Sequence, residues 1–237
     1  MPSASAWTYD EASEALAQEL RALHALLASL SAEAWLRPTR CRWNPSRPWD
    51  VRALVSHINI SIGMLPGFAA ELADVAPEKD RVSFFINEPR LVAPIVDEYA
   101  WKGIEGQTPE GLLRAYEEVV AATLAAARAT PPEAAAVTFF GPMTMAEFLP
   151  TRVLEAVVHG HDASEAVGRP PHMTPTAKMM TVGLLEELLA RRAQLLFPAA
   201  LRAEGARRPS DLSDDIAFIE VATGRRPYPD ARFPILQ

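Results

Sequence analysis

Glu155 and His159 stand four residues apart in the segment Thr151-Arg-Val-Leu-Glu-Ala-Val-Val-His-Gly-His-Asp162. Four residues of α-helix turn through about 400°, so the two side chains share one face, one turn apart. A carboxylate and an imidazole so placed form half of a site for a divalent cation. A third ligand from another helix would complete a three-ligand site with open positions, the arrangement of catalytic metals; structural metals are closed by four protein ligands. The best third ligand is His57, at the end of Trp49-Asp-Val-Arg-Ala-Leu-Val-Ser-His57. A solvated surface pair is the bland alternative for Glu155 and His159. The apolar neighbours Val153, Leu154, Ala156, Val157 and Val158 argue against it. His57 sits between Leu54 and Ile58. A lone histidine there is more often a core residue, and only the half-site wanting a partner favours it as a ligand.

The same geometry sorts the other candidates. With Glu155 at 0° and about 100° per residue, His159 falls near 40° and Asp162 near −20°. Phe148 and Arg152 fall near about 20° and 60°, so these residues make one stripe of mixed chemistry, as a pocket wall would. His161 falls near about −120°, on the opposite side, so His159 and His161 are not a chelating pair on a regular helix. His24, between Leu20 and Leu27, reads as a core or boundary residue, and His172, in a Pro-rich loop, as solvated. Cys41 lies between Arg40 and Arg42, which would favour a thiolate, but no base is near in sequence. A small buried residue is the expected reading. In Gly224-Arg225-Arg226-Pro227 the arginines could bind an anionic substrate; a solvated turn is the alternative. Arg152, Asp162 and Arg225 are the candidate catalytic residues, and no residue identifies itself as binding an organic cofactor.

Helices must position these groups. The first is expected over about 9–30, opened by the capping box Thr8-Tyr-Asp-Glu11. Tyr9, Ala12, Leu16, Leu20, Leu23, Leu27 and Leu30 give it one apolar stripe. A second starts after the N-cap Asp50, carries Val51, Leu54, Val55, Ile58 and Ile62, and should end or kink near Pro66-Gly67. Residues 75–107 read as loops with a short helix. Thr108-Pro109-Glu110 opens a third long helix, to about Arg128. Val137-Thr-Phe-Phe140 reads as a short strand turning at Gly141-Pro142. Thr144-Met-Ala-Glu147 is a second capping box, opening the helix that carries Glu155 and His159; Pro150 either kinks its first turn or marks where regular helix begins. Gly168 is its C-cap, another helix spans about 175–196, and a short one near 212–223 is closed by Gly224. The sum is a predominantly all-α fold, a four-helix bundle over 1–200 with a short tail, 201–237, packing on it.

The chain has 237 residues, 49% of them hydrophobic, enough for a sizeable core, and a net charge of −7, which argues against nucleic acid or an anionic membrane as partner. One cysteine excludes an intramolecular disulfide. No basic region followed by an apolar stretch opens the chain, so no signal peptide is expected. No apolar run is expected to approach the roughly 20 residues needed to span a bilayer. A soluble, cytoplasmic protein is expected. Arginine outnumbers lysine, with only Lys79, Lys102 and Lys178, a bias of GC-rich coding that bears on which small thiols the host contains.

Two segments resemble one family. Trp49-Asp-Val-Arg-Ala-Leu-Val-Ser-His57 resembles the second-helix motif of the mycothiol-dependent maleylpyruvate isomerase family, part of the broader DinB-like metal-binding bundles. Gly141-Pro-Met through Phe148-Leu-Pro-Thr-Arg-Val-Leu-Glu155 to His159-Gly-His-Asp162 resembles its metal-binding helix. The order His, then Glu-x-x-x-His, is shared, and the resemblance runs from residue 8 to about residue 195. It implies a metal held by His57, Glu155 and His159, usually zinc, with nickel, cobalt, iron or manganese as other choices, and mycothiol as co-substrate. His161 stands where an aromatic such as Trp is expected. The short tail replaces a small α/β C-terminal domain that helps form the substrate pocket, so the substrate does not carry over.

The leading expectation is an isomerase or S-transferase that activates a small thiol as a metal thiolate for addition to a double bond. The rivals are a thiol-independent Lewis-acid enzyme (a cyclase, lyase or hydrolase) and a metal-binding or stress-response module without catalysis. A small-molecule substrate is expected either way, on a monomer or a homodimer. A non-haem iron oxygenase fits the ligand types but not a helical bundle, and a di-iron site would need a second Glu-rich half-site.

Overall fold

The computed structural model describes residues 7–41, 47–86, 89–199 and 202–236. Four long helices close a ring: α1 (Tyr9–Ala28) on α4 (Pro109–Ala129), α4 on α2 (Val51–Ala70), α2 on α5 (Met145–Ala166), and α5 back on α1. This is a four-helix bundle with a small β-hairpin, and α6 (Pro175–Leu196) runs outside it against α1 and α5. Between α2 and α4 lies α3 (Pro89–Lys102), which packs on α2. The core is aliphatic: Leu16, Leu20, Leu23 and Leu27 of α1 and Leu54, Ile58, Ile62 and Leu65 of α2 are all shielded from solvent. Tyr116 of α4 adds a buried ring whose hydroxyl donates to Leu20 O at 2.8 Å.

The capping box at Thr8 forms as expected, and Asp50 caps α2 by accepting from Ala53 N. Several local expectations are corrected. Helix α2 does not stop at Pro66 but continues to Ala70. A proline removes the N–H that would have bonded the carbonyl four residues back. Here that carbonyl, Ile62 O, accepts instead from Thr123 Oγ1 of α4 at 3.0 Å. The segment 75–107 holds more helix than expected, because α3 continues through Pro94. The hairpin pairs β1 (Ala135–Thr138) with β2 (Gly141–Thr144), so Phe139 and Phe140 form the turn and Gly141, at φ +122°, opens the second strand. That backbone angle is a glycine conformation.

Helix α5 starts at Met145 and runs on through Pro150. Thr144 Oγ1 accepts from Glu147 N, but Glu147 does not close the box. Its carboxylate takes Arg81 N at 2.9 Å and the Arg81 guanidinium, which also reaches Glu187 of α6. The C-terminus of α5 is a Schellman motif: Gly168, at φ +68°, donates to Glu165 O and Arg169 N donates to Ser164 O.

After α6 come α7 (Arg202–Gly205), a 3-10 turn at Ser210–Leu212 and α8 (Asp215–Ala222). Helix α8 packs on α6 and buries Phe218, Ile219, Val221 and Ala222. The chain then doubles back: Ile235 N and Leu236 N both donate to Ala222 O, and Arg192 of α6 donates to Pro234 O and Ile235 O. One expectation about apolar runs is also corrected. By length and composition alone α2 could cross a bilayer, with a mean hydropathy of 1.4 over its best window. Its apolarity has a structural cause, since it packs against α3, α4 and α5 together.

Candidate metal centre

The facing pair α2 and α5 brings His57, Glu155 and His159 together, with one ligand atom from each within 4.8 Å of the others. His159 Nε2 lies 3.3 Å from Glu155 Oε2, and His57 Nε2 lies 3.4 Å from the same oxygen. Charge-assisted N–H···O bonds run at about 2.7–2.9 Å, so these contacts are long for direct pairing. They match another geometry. Donors bound tetrahedrally at about 2.0–2.1 Å lie about 3.3–3.4 Å from one another. The His57 and His159 rings stand nearly perpendicular, at 85°.

Local folding explains the placement. Thr39 N donates to Trp49 O and Trp49 N donates to Cys41 O, which closes the loop leading into α2. The closure sets the Trp49 ring 5.1 Å from that of His57 and anchors its Nε1 on Asp97 of α3 at 2.7 Å. The pocket is graded: the side chain of Glu155 is 20% exposed, His57 13% and His159 6%. Solvent therefore reaches the trio from the Glu155 side.

The charge states suit a cation. Burial pushes His57 below the usual histidine value, against the pull of Glu155, so its imidazole is neutral. Burial alone would raise Glu155, but hydrogen bonds from His159 and His57 and the charges of His159 and Arg152 hold it well below the carboxylate range. Burial would lower His159, but its bonds to Asp162, Cys41 and Glu155 raise it well above the usual value. In the metal-free protein one proton thus supplies positive charge where a cation would bind. The donor set, two imidazoles and one carboxylate, fits a divalent metal ion.

A second group, Cys41, His159 and Asp162, also lies close enough to hold an ion. Its cation position is already taken. Arg225 donates from Nη2 to Asp162 Oδ2 at 2.8 Å and from Nε to Oδ1 at 3.2 Å, and its Nη2 lies 3.4 Å from Cys41 Sγ. Cys41 Sγ is 3.0 Å from Asp162 Oδ2, a contact that a thiol donor satisfies and a thiolate would not. His159 serves both groups with different nitrogens: Nε2 faces Glu155 and Nδ1 faces Asp162 at 3.2 Å. The first group is therefore the better candidate for holding a metal.

The other sequence candidates divide. Arg152 is 2% exposed; it donates from Nε to Thr151 Oγ1 and from Nη1 to Ser61 O and Oγ, and lies 4.7 Å over the Phe148 ring. Its charge is felt by Glu155, but it is braced rather than extended. Asp162 is fully buried behind His159, and Arg225 is turned inward onto it, while Arg226 is exposed. His161 stands outside the trio, as regular helix geometry requires, with Nε2 2.9 Å from Glu220 Oε1 and 3.0 Å from Arg40 Nη2. His24 is a boundary residue, 2.7 Å from Glu117 Oε1 of α4. His172 is not solvated: its loop folds back on α1, placing it against Gly160 and 3.8 Å from the buried Glu19. Cys41 is buried as expected, but among polar groups that the sequence places far from it. The flanking arginines were its one signal, and the arginine that reaches it is Arg225.

The fold has counterparts among known proteins. A crystal structure of the mycothiol-dependent maleylpyruvate isomerase superposes with TM-score 0.56 at 16% identity, over 80% of this chain and 72% of that one. A second, of a mutant of that isomerase, gives TM-score 0.56 at 15% identity over the same shares. At such identity the likeness shows a shared fold. No curated protein matches by sequence. The family model described as "Mycothiol maleylpyruvate isomerase N-terminal domain" matches residues 16–164, more than half of the chain, with His57, Glu155 and His159 inside the match. The chain belongs to the mycothiol maleylpyruvate isomerase N-terminal domain family.

Proposed function

We propose that the protein is a metal-dependent, thiol-using isomerase or S-transferase, with the cation held by His57, Glu155 and His159. The observation that supports this most is the pair of 3.3 and 3.4 Å contacts converging on Glu155 Oε2, with the open side toward solvent. A divalent cation there, zinc being the first choice, supplies Lewis acidity that favours the thiolate form of a bound thiol. The reaction is addition of the thiolate to an activated double bond, rotation about the resulting single bond and expulsion of the thiolate; retention of the adduct gives S-transfer instead. The family's thiol is mycothiol, which makes it the natural co-substrate.

The chain's own residues hold this chemistry in place. Glu155 stays ionised and His57 neutral, the states in which each donates an electron pair. Trp49 covers one face of His57. Arg152, braced by Ser61 and Phe148, adds fixed positive charge beside Glu155, where an anionic substrate or enolate would be stabilised.

The test is a cobalt-substituted protein titrated with mycothiol, alongside turnover of maleylpyruvate followed with and without the thiol. A cobalt–sulfur bond adds an intense near-ultraviolet charge-transfer band. The reading expects that band, and turnover that requires thiol. No sulfur band at millimolar mycothiol, with turnover in thiol-free buffer, would make the enzyme a thiol-independent Lewis-acid catalyst. A metal with no exchangeable ligand and no turnover would mark a non-catalytic module.

A further inference from the structure

His159 carries its second contact on the ring nitrogen away from Glu155, and that contact leads into the tail. Asp162 Oδ2 gathers three donors: Arg225 Nη2 at 2.8 Å, Cys41 Sγ at 3.0 Å and His159 Nδ1 at 3.2 Å. Its Oδ1 takes Arg225 Nε at 3.2 Å, so the carboxylate is held at both oxygens and cannot rotate without losing a bond. Arg225 is itself fixed. Its Nη1 donates to Thr223 O at 2.7 Å, and its backbone N–H donates to Glu220 O at the end of α8 at 2.7 Å. Three separate parts of the chain therefore meet on one carboxylate: the loop before α2, the helix α5 and the turn after α8.

We propose that Arg225 and Cys41 are positioning residues that act through Asp162 to fix the ring plane and tautomer of His159, so that the C-terminal tail is a working part of the metal centre. A carboxylate accepting from Nδ1–H leaves the lone pair on Nε2, the nitrogen that faces Glu155. A guanidinium gripping both carboxylate oxygens sets the position of that acceptor with a geometry that lysine reproduces only in part. Cys41 fills the remaining direction at Oδ2 with a weak thiol donor and keeps water from it, since both Cys41 and Asp162 are buried. The inference rests on the metal reading above.

The experiment measures cobalt affinity by chelator competition and the cobalt ligand-field spectrum for wild type, Asp162→Asn, Arg225→Met, Arg225→Lys, Cys41→Ser and Arg192→Met. In zinc-loaded samples, nitrogen NMR reports whether Nδ1 of His159 carries the proton. Arg192→Met is the control, because it loosens the tail at Pro234 and Ile235 without touching Asp162. Asp162→Asn and Arg225→Met should weaken cobalt binding by about 10- to 100-fold, the usual effect of removing a partner of a metal-bound histidine. They should also shift the ligand-field bands and lose the clean Nδ1–H signature. Arg225→Lys should recover part of the affinity, Cys41→Ser should stay near wild type, and Arg192→Met should bind as wild type does whatever stability it loses. Wild-type affinity, bands and tautomer in both Asp162→Asn and Arg225→Met would overturn the clamp and leave the metal reading standing. A wild-type protein that binds no cobalt would overturn the metal reading, and the clamp's purpose with it.

Discussion

Thr123→Val tests how α2 runs on through Pro66. The substitution keeps the shape of the side chain and removes one hydroxyl. That hydroxyl is the donor to Ile62 O, the carbonyl orphaned by Pro66, and Thr123 and Ile62 are both buried. A buried acceptor left without a donor costs about 1–3 kcal/mol, and the extra apolar contact of valine offsets part of it. The single substitution should therefore destabilise by about 1–2 kcal/mol. Pro66→Ala restores the helical N–H, so in that background Ile62 O has a donor again and Thr123→Val should cost little. The coupling between the two substitutions should be about 1 kcal/mol or more. The assay is urea unfolding of the four proteins of the cycle, read at unchanged denaturant slope. Cobalt affinity should not change, because His57 lies more than a turn before Ile62. Coupling below about 0.3 kcal/mol would refute the explanation, since distant and independent sites add to within that figure.

Three other perturbations follow from particular contacts. Gly103→Ala would press a Cβ against Ser56 Oγ and place it 3.3 Å from Tyr99 O, next to His57; it should cost about 1–3 kcal/mol in denaturant unfolding and weaken metal binding, and a neutral result would show that Ser56 turns aside without disturbing its neighbour. Arg81→Met removes the guanidinium shared by Glu147 and Glu187 at the join of α5 and α6, leaving Glu147 only the backbone N–H of residue 81; a loss of about 2–3 kcal/mol is expected, and a stability equal to wild type would show the bridge to be idle. His161→Ala should keep its full metal content, because its ring is held by Glu220 and Arg40, outside the trio; loss of metal from a folded variant would reopen the ligand assignment.

Much of the fold was legible because short-range signals carried it. Thr8, Asp50 and Thr108 cap helices where their side chains say they should, and the leucines of α1 bury the stripe they spell out. The helical repeat put Glu155 and His159 on one face and His161 on another, and the backbone is regular enough for that to hold. What the sequence hid were long-range rescues. Pro66 reads as an end or a kink, yet α2 runs on, and the carbonyl it orphans is taken by the hydroxyl of Thr123 on another helix. Glu147 reads as half of a capping box, and Arg81 draws it away. His172 reads as solvated, and Glu19, buried on α1, gives its loop an anchor through Thr174 N. Cys41 is the clearest case. Its neighbours in the chain say little, and its meaning comes from Asp162 and Arg225, which tertiary folding alone brings to it.

The central claim is that one divalent cation is bound by His57, Glu155 and His159. Metal content per chain, measured on wild type and on His57→Ala, Glu155→Ala and His159→Ala after identical loading and dialysis, tests it most directly. Circular dichroism confirms that each variant is folded. The account predicts about one metal ion per wild-type chain and a severe loss in each variant. Full metal retention by folded forms of any two variants would contradict it.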